Sequence, residues 1–188
     1  MYGKDPDGNS KPILVNRDGQ IATGLAKAAI EGRLFHVNTA TTVECSTTLH
    51  TTFTGLAVGN PANSGKYMIF HEFGAATKDA IGTMGILALA LTTVSGLAQQ
   101  LTAQPSMKGS GAVSVSYCDE AATIVAPVKC KTLATYATGA TGTEMLVNGV
   151  FDLKGSIVLA PGQALVTDMT LAPGNSMSFH FQWEEVDI

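Results

Sequence analysis

The run Ser176-Met177-Ser178-Phe179-His180-Phe181-Gln182-Trp183-Glu184-Glu185-Val186 alternates strictly. Met177, Phe179, Phe181 and Trp183 fall on one side of an extended chain, with Ser178, His180, Gln182 and Glu184 on the other. Successive side chains of a pleated strand point to opposite faces, so this period of two marks a β-strand with one face in a core and one toward solvent. Its apolar face predicts burial of Trp183, the single tryptophan.

Upstream, Val150 to Lys154, Ser156 to Leu159 and Gln163 to Met169 are three more strand-like runs. Gly155, Pro161-Gly162 and Pro173-Gly174-Asn175 punctuate them, residue types that turns require. Ala112 to Tyr117 alternates in the same way, which predicts a half-buried strand; Thr123 to Val125 and Leu133 to Tyr136 are weaker candidates. Lys66 to Phe73 reads as a strand with Tyr67, Ile69, His71 and Phe73 on one face. Met68 and Phe70 make its other face apolar, which predicts a central strand buried on both sides. Ile81 to Val94 fits one strand bulged near Gly85, or two strands, or a helix over Ile86 to Leu91. Threonines crowd the stretch from Thr39 to Thr54, a composition suited to pleated surfaces. Many short strands with regular turn signals predict an all-β chain, an antiparallel β-sandwich running from about Leu34 to the C-terminus.

Residues 1–33 read differently, as an extended N-terminal arm with a short hairpin ahead of a body at 34–188. Lys4 to Pro12 is a cluster of turn formers. Ile13-Leu14-Val15 and Gln20-Ile21-Ala22 flank Asn16-Arg17-Asp18-Gly19, an Asp-Gly hairpin signal. Leu25 to Ile30 allows one or two helical turns between Gly24 and Gly32. The arm has too little apolar surface for a core of its own, so Tyr2, Ile13, Leu14 and Val15 are its candidate contacts with a neighbouring subunit or shell.

Composition narrows the function classes. The 188 residues carry 14% charged side chains, against roughly 25% in an average soluble domain, with a net charge of -4. A pI near 5.5 with scattered basic residues supplies no electrostatic drive toward nucleic acid. No apolar run approaches the ~18 residues of a membrane span, and Met1 is not followed by the apolar stretch of a signal peptide. Cys45, Cys118 and Cys130 are an odd number at wide spacing, which suits a reducing compartment and not a disulfide framework. A surface this poor in charge fits a chain that covers part of itself with copies or a partner.

Catalytic motifs fail on their spacing. Gly59 to Lys66 has five residues between its glycines where a phosphate loop has four, and Tyr67 stands where Ser or Thr would hold magnesium. His71-Glu72 opens like a zinc-protease helix, but position 75 is Ala75 and the segment reads as strand. Asp5 to Asn9 lacks the later Gly and Glu of a calcium loop. Cys118, beside Asp119 and Glu120, has its thiolate disfavoured. No cofactor, no metal and no enzymatic activity are therefore expected.

Two resemblances add to this. Gly155-Ser156-Ile157-Val158-Leu159-Ala160-Pro161-Gly162 resembles the second conserved box of cupin barrels, which are jelly rolls. The cupin metal signature is missing, so only a strand entering a tight turn carries over. Across most of the chain, in order, Gly3 to Asn9, Glu31-Gly32-Arg33-Leu34-Phe35, Thr54 to Pro61 with Ser64-Gly65-Lys66, and Ser178 to Val186 resemble tailed-bacteriophage virion proteins, of the capsid decoration (cement) type. That resemblance implies a jelly-roll body, a homo-oligomer with three-fold symmetry, the major capsid protein as partner, and residence in a virion assembled in the host cytoplasm. The alternative is a receptor- or glycan-binding jelly roll of a phage tail; a cupin-like enzyme is the third reading.

Overall fold

The computed structural model describes residues 2–4, 10–12, 24–41, 43, 53–77, 85–136, 149–169 and 177–188. Ile13, Leu14 and Val15, the Asp-Gly hairpin around Asn16 to Gly19, Cys45, most of the Asp5 to Asn9 loop and much of the Thr-rich stretch lie outside the described residues.

At the start, β1 (Tyr2–Lys4) pairs antiparallel with β2 (Ser10–Pro12). Pro12 is tolerated there because a two-stranded ribbon has only edge positions. Then come helix α1 (Gly24–Ile30), β3 (Leu34–Asn38), β4 (Phe53–Gly59), β5 (Lys66–Thr77), β6 (Gly85–Thr93), the two-residue β7 (Gln104–Pro105), β8 (Tyr117–Ala122), β9 (Val128–Tyr136), β10 (Gly149–Leu159), β11 (Gln163–Met169) and β12 (Met177–Asp187).

The strands form two antiparallel five-stranded sheets, the first ordered β10-β5-β12-β3-β7 and the second β8-β4-β11-β6-β9. With the short additions β7 and β8 set aside, β3 pairs with β12, β4 with β11, β5 with β10 and β6 with β9. First with last and inward to a central hairpin is one long antiparallel ribbon rolled up. It is the jelly-roll connectivity of two interlocked Greek keys.

Between the sheets lies the main core, including Phe35, Leu56, Met68, Phe70, Phe73, Leu87, Leu165, Phe181 and Trp183. Trp183 is 0% exposed and packs with Phe35 and Phe70 at ring-centroid distances of 6.4 and 6.0 Å. The expected alternation of β12 holds along its length, from buried Met177 to half-exposed Glu184.

Several expectations need correction. Residues 112–116 are not a strand: β8 begins only at Tyr117, and Val113 is 85% exposed. A carboxylate competes with the ladder here. Glu185, buried on the core side of β12, accepts hydrogen bonds from the Ser114 hydroxyl and from the Val115 N–H at 3.2 Å. Thr123 to Val125 is a loop as well. Ile86 to Leu91 is strand β6 and not helix, with Leu87 and Leu89 in the main core and Ala88 and Ala90 buried on the opposite side. Val150 to Lys154 and Ser156 to Leu159 are one strand, β10, broken in register between Asp152 and Ile157.

The two outer faces differ. Over the second sheet, Leu97 and Ile124 from two loops cover Ala57, Ala90, Ala164 and Val166 in a small second core. Asp119 anchors that cover, its carboxylate accepting the N–H groups of Ala98 and Gln100 at 2.5 and 2.7 Å. Thr92 adds a 2.6 Å hydrogen bond to the Val125 carbonyl. Over the first sheet the described residues make no such roof.

Candidate docking face on the first sheet

β5 is central in the first sheet, as its composition predicts, but its faces change hands midway. Against β12, Gln182 pairs with Glu72 and Trp183 with Phe70. Against β10, Asp152 pairs with Glu72 and Ile157 with Phe70. His71 is skipped on both ladders. One extra residue in a strand reverses the side on which every later residue points. Met68 and Phe70 therefore enter the core before the slip, and Phe73 and Ala75 enter it afterwards. Phe73 does not share a face with Tyr67, Ile69 and His71, and the outer face of β5 is not buried: Tyr67 is exposed and Ile69, His71 and Glu72 are half-buried.

The slip puts His71 and Glu72 together on the outer surface. β10 accommodates it with a wider bulge from Leu153 to Ser156. Lys154 and Gly155 take positive φ values of 52° and 68° there, and the Asp152 carboxylate accepts the Lys154 N–H at 2.8 Å, fixing the turn. A Cβ on residue 155 would press on Ile69 at 3.1 Å, so glycine suits that place twice over. Next to this bulge opens a groove of about 530 Å³, bounded by His71, Glu72, Asp152, Lys154, Gln182 and Glu184, with Gly24 and Leu25 of α1 at its rim.

Charges on this face are paired across strands. His180 Nε2 is 2.7 Å from Glu72 Oε1. Glu184 is held by the Arg33 guanidinium on one oxygen, and its other oxygen stands 3.5 Å from His71 Nε2. The second contact lacks hydrogen-bond geometry, so His71 Nε2 is buried without a partner. Partial burial pushes the His71 imidazole below the ordinary histidine value, while Asp152 pulls it the other way. His36, on the neighbouring strand, is likewise lowered by burial and then by the nearby His180. Three of the four histidines thus share one sheet face.

Beside this polar belt lies an apolar end. Tyr67 pairs with Val186 on β12, and Ile69 with Val158 on β10. All four alternate with core residues and so point outward; Tyr67 and Val158 are among the exposed large side chains.

Of the residues proposed from sequence as arm contacts, Tyr2 lies on β1, and Ile13, Leu14 and Val15 lie outside the described residues. Gly59 to Lys66 is a turn between β4 and β5, closed by the Asn60 side chain donating to the carbonyls of Lys66 and Leu159 at 2.8 and 3.0 Å. Strand, not helix, follows it. The eight residues from Gly155 form the last half of β10 and its tight turn into β11. Among the described residues no three His, Cys, Asp or Glu side chains gather closely enough to hold a metal ion. Cys118 is pushed up to about 12, chiefly by burial, with Asp119 and Glu185 adding to it, so burial outweighs the sequence-neighbour charge. Sequence reasoning missed the belt because it judged His71-Glu72 and His180 by spacing along the chain. The sheet assembles them across strands.

No family model, no curated protein and no solved structure matches this chain.

Proposed function

We propose that this chain is a non-enzymatic structural protein of a bacteriophage virion, a capsid decoration protein that binds and stabilises the assembled head shell. One observation carries the reading: the jelly roll roofs one sheet with its own loops and leaves the other bare, with Tyr67, Ile69, Val158 and Val186 beside a polar belt. A β-body with one finished and one unfinished face suits a protein that completes itself on another surface. The partners in this reading are further copies of the chain, arranged as a trimer, and the major capsid protein. Multivalent attachment lets such a trimer hold tightly through individually weak contacts. The N-terminal arm, with Tyr2, Ile13, Leu14 and Val15, is its second point of attachment.

The groove at His71 supports a second reading, a receptor- or glycan-binding component of the tail, because it offers several hydrogen-bonding groups in one concavity. Its walls include no Trp, Tyr or Phe on which a sugar ring stacks, which favours the first reading.

The test is cryo-electron microscopy of the assembled particle, with co-sedimentation of purified protein and shells. The decoration reading expects density for this chain on the head, with the first sheet toward the shell. Binding should be lost in Tyr67→Glu/Val158→Glu while the fold is retained. Density at the tail tip, or unchanged binding by that variant, overturns it.

A further inference from the structure

The outer face of the first sheet gathers His36, His71 and His180 with Glu72, Asp152 and Glu184, and this composition makes its charge depend on pH. We propose that the face, taken as the docking face on the reading above, is a pH switch: protonating its three histidines reverses the sign of the belt and loosens docking.

The facing groups are these. His71 meets Glu184 and uncharged Gln182 from β12, and Asp152 and Lys154 from β10, with Glu72 next to it on its own strand and uncharged Gly24 and Leu25 at the rim. His180 meets Glu72 and Gly74 from β5, and His36 and Asn38 from β3. His36 meets His180 and Gln182 from β12, and Gln104 of β7 and the Ser106 hydroxyl from the other side. Arg33 reaches the belt through Glu184 and also holds Glu31 at 2.5 Å.

With neutral imidazoles, three carboxylates stand against Arg33 and Lys154, and the belt is one charge negative. With all three imidazoles protonated it is two charges positive. Histidine is the side chain whose charge changes in this range. Docking removes the belt from water, and two uncompensated positive charges are harder to bury than one negative. Partial burial of His36 and His71 already opposes their protonation and keeps both neutral at pH 7. The double register slip at His71 is what brings its ring beside Glu184. Bulges often serve to re-aim one side chain in this way.

The experiment combines two readouts on the full-length protein. Imidazole resonances are followed by NMR from pH 8 to 5, with the side-chain signals of Asp152, Glu184 and Lys154 as reporters. Binding to purified shells is measured at pH 7.5 and 5.0 for the natural chain, for His71→Gln and for the triple variant His36→Gln/His71→Gln/His180→Gln, each checked for folding by circular dichroism. The switch predicts reporters that move with the histidine transitions, affinity about tenfold or more weaker at pH 5.0, and a triple variant whose affinity hardly changes with pH. Equal affinity at both pH values, or a pH effect retained by the folded triple variant, overturns the switch. Absence of binding at both pH values overturns the docking reading itself, and is told apart by the NMR titration.

Discussion

Gly74 and His180 stand directly opposite each other on adjacent strands, and the imidazole lies over the glycine where a side chain would otherwise be. A Cβ on residue 74 would overlap Nδ1 of His180. The missing side chain lets the ring lie flat and carry Nε2 to Glu72. Gly74→Ala is expected to swing the imidazole outward and break that contact, at a cost of about 1–3 kcal/mol as an overpacked site. Thermal melting measures the cost, and an unchanged His180 resonance in a folded Gly74→Ala protein would refute the account.

Trp183 closes the main core between Phe35 and Phe70. Trp183→Ala should destabilise by ~3–5 kcal/mol, the usual cost of truncating a buried aromatic. Tryptophan emission of the natural protein should be blue-shifted when folded and move to the solvent value in denaturant. Solvent-like emission before denaturation would contradict the burial.

Glu185 is a buried carboxylate that gathers the Ser114 hydroxyl, the Val115 N–H and, at 3.4 Å, the Trp183 indole N–H. Lys66 Nζ stands 3.7 Å away. Glu185→Ala leaves these donors without their acceptor and should cost ~3–5 kcal/mol. Residues 112–116 should lose protection first, seen as faster amide hydrogen exchange at Val115. A local effect of that kind separates this role from general core damage.

Stability should fall on acidification through the histidine range. His36 and His71 are both held below the model value of 6.5 in the folded protein. As pH falls, the unfolded chain therefore takes up protons first. The stabilisation is fully present above the unfolded value and is lost as pH drops through the folded values. Urea midpoints should be lower at pH 5.0 than at 7.5, and His36→Gln with His71→Gln should flatten that slope. A midpoint that rises with acid would show the sign to be wrong.

Deleting residues 1–15 tests the arm. The expected outcome is weaker oligomerisation by light scattering and weaker shell binding, since Tyr2, Ile13, Leu14 and Val15 would no longer be available to bury. A truncated protein that assembles and binds like the full chain removes the arm from the proposal. A monomeric full-length protein at working concentration removes the trimer.

Alternation along Met177 to Trp183 determined by itself that the last strand is half-buried and that Trp183 belongs to the core, because a strand's period of two is a local property of the backbone. The turn residues around Pro161 and Gly162, and the strand character of Lys66 to Phe73, were legible for the same reason. The side on which Phe73 points was not. It depends on a one-residue slip at His71 that exists only relative to β10 and β12. Nor was the fate of Ala112 to Ser116, whose alternation suits a ladder but whose polar groups are taken by Glu185, about seventy residues away. The candidate face was hidden in the same manner. His36, Glu72, Asp152 and His180 are far apart along the chain, and only the rolled ribbon of strands sets them side by side, where charge acts through space and not through sequence.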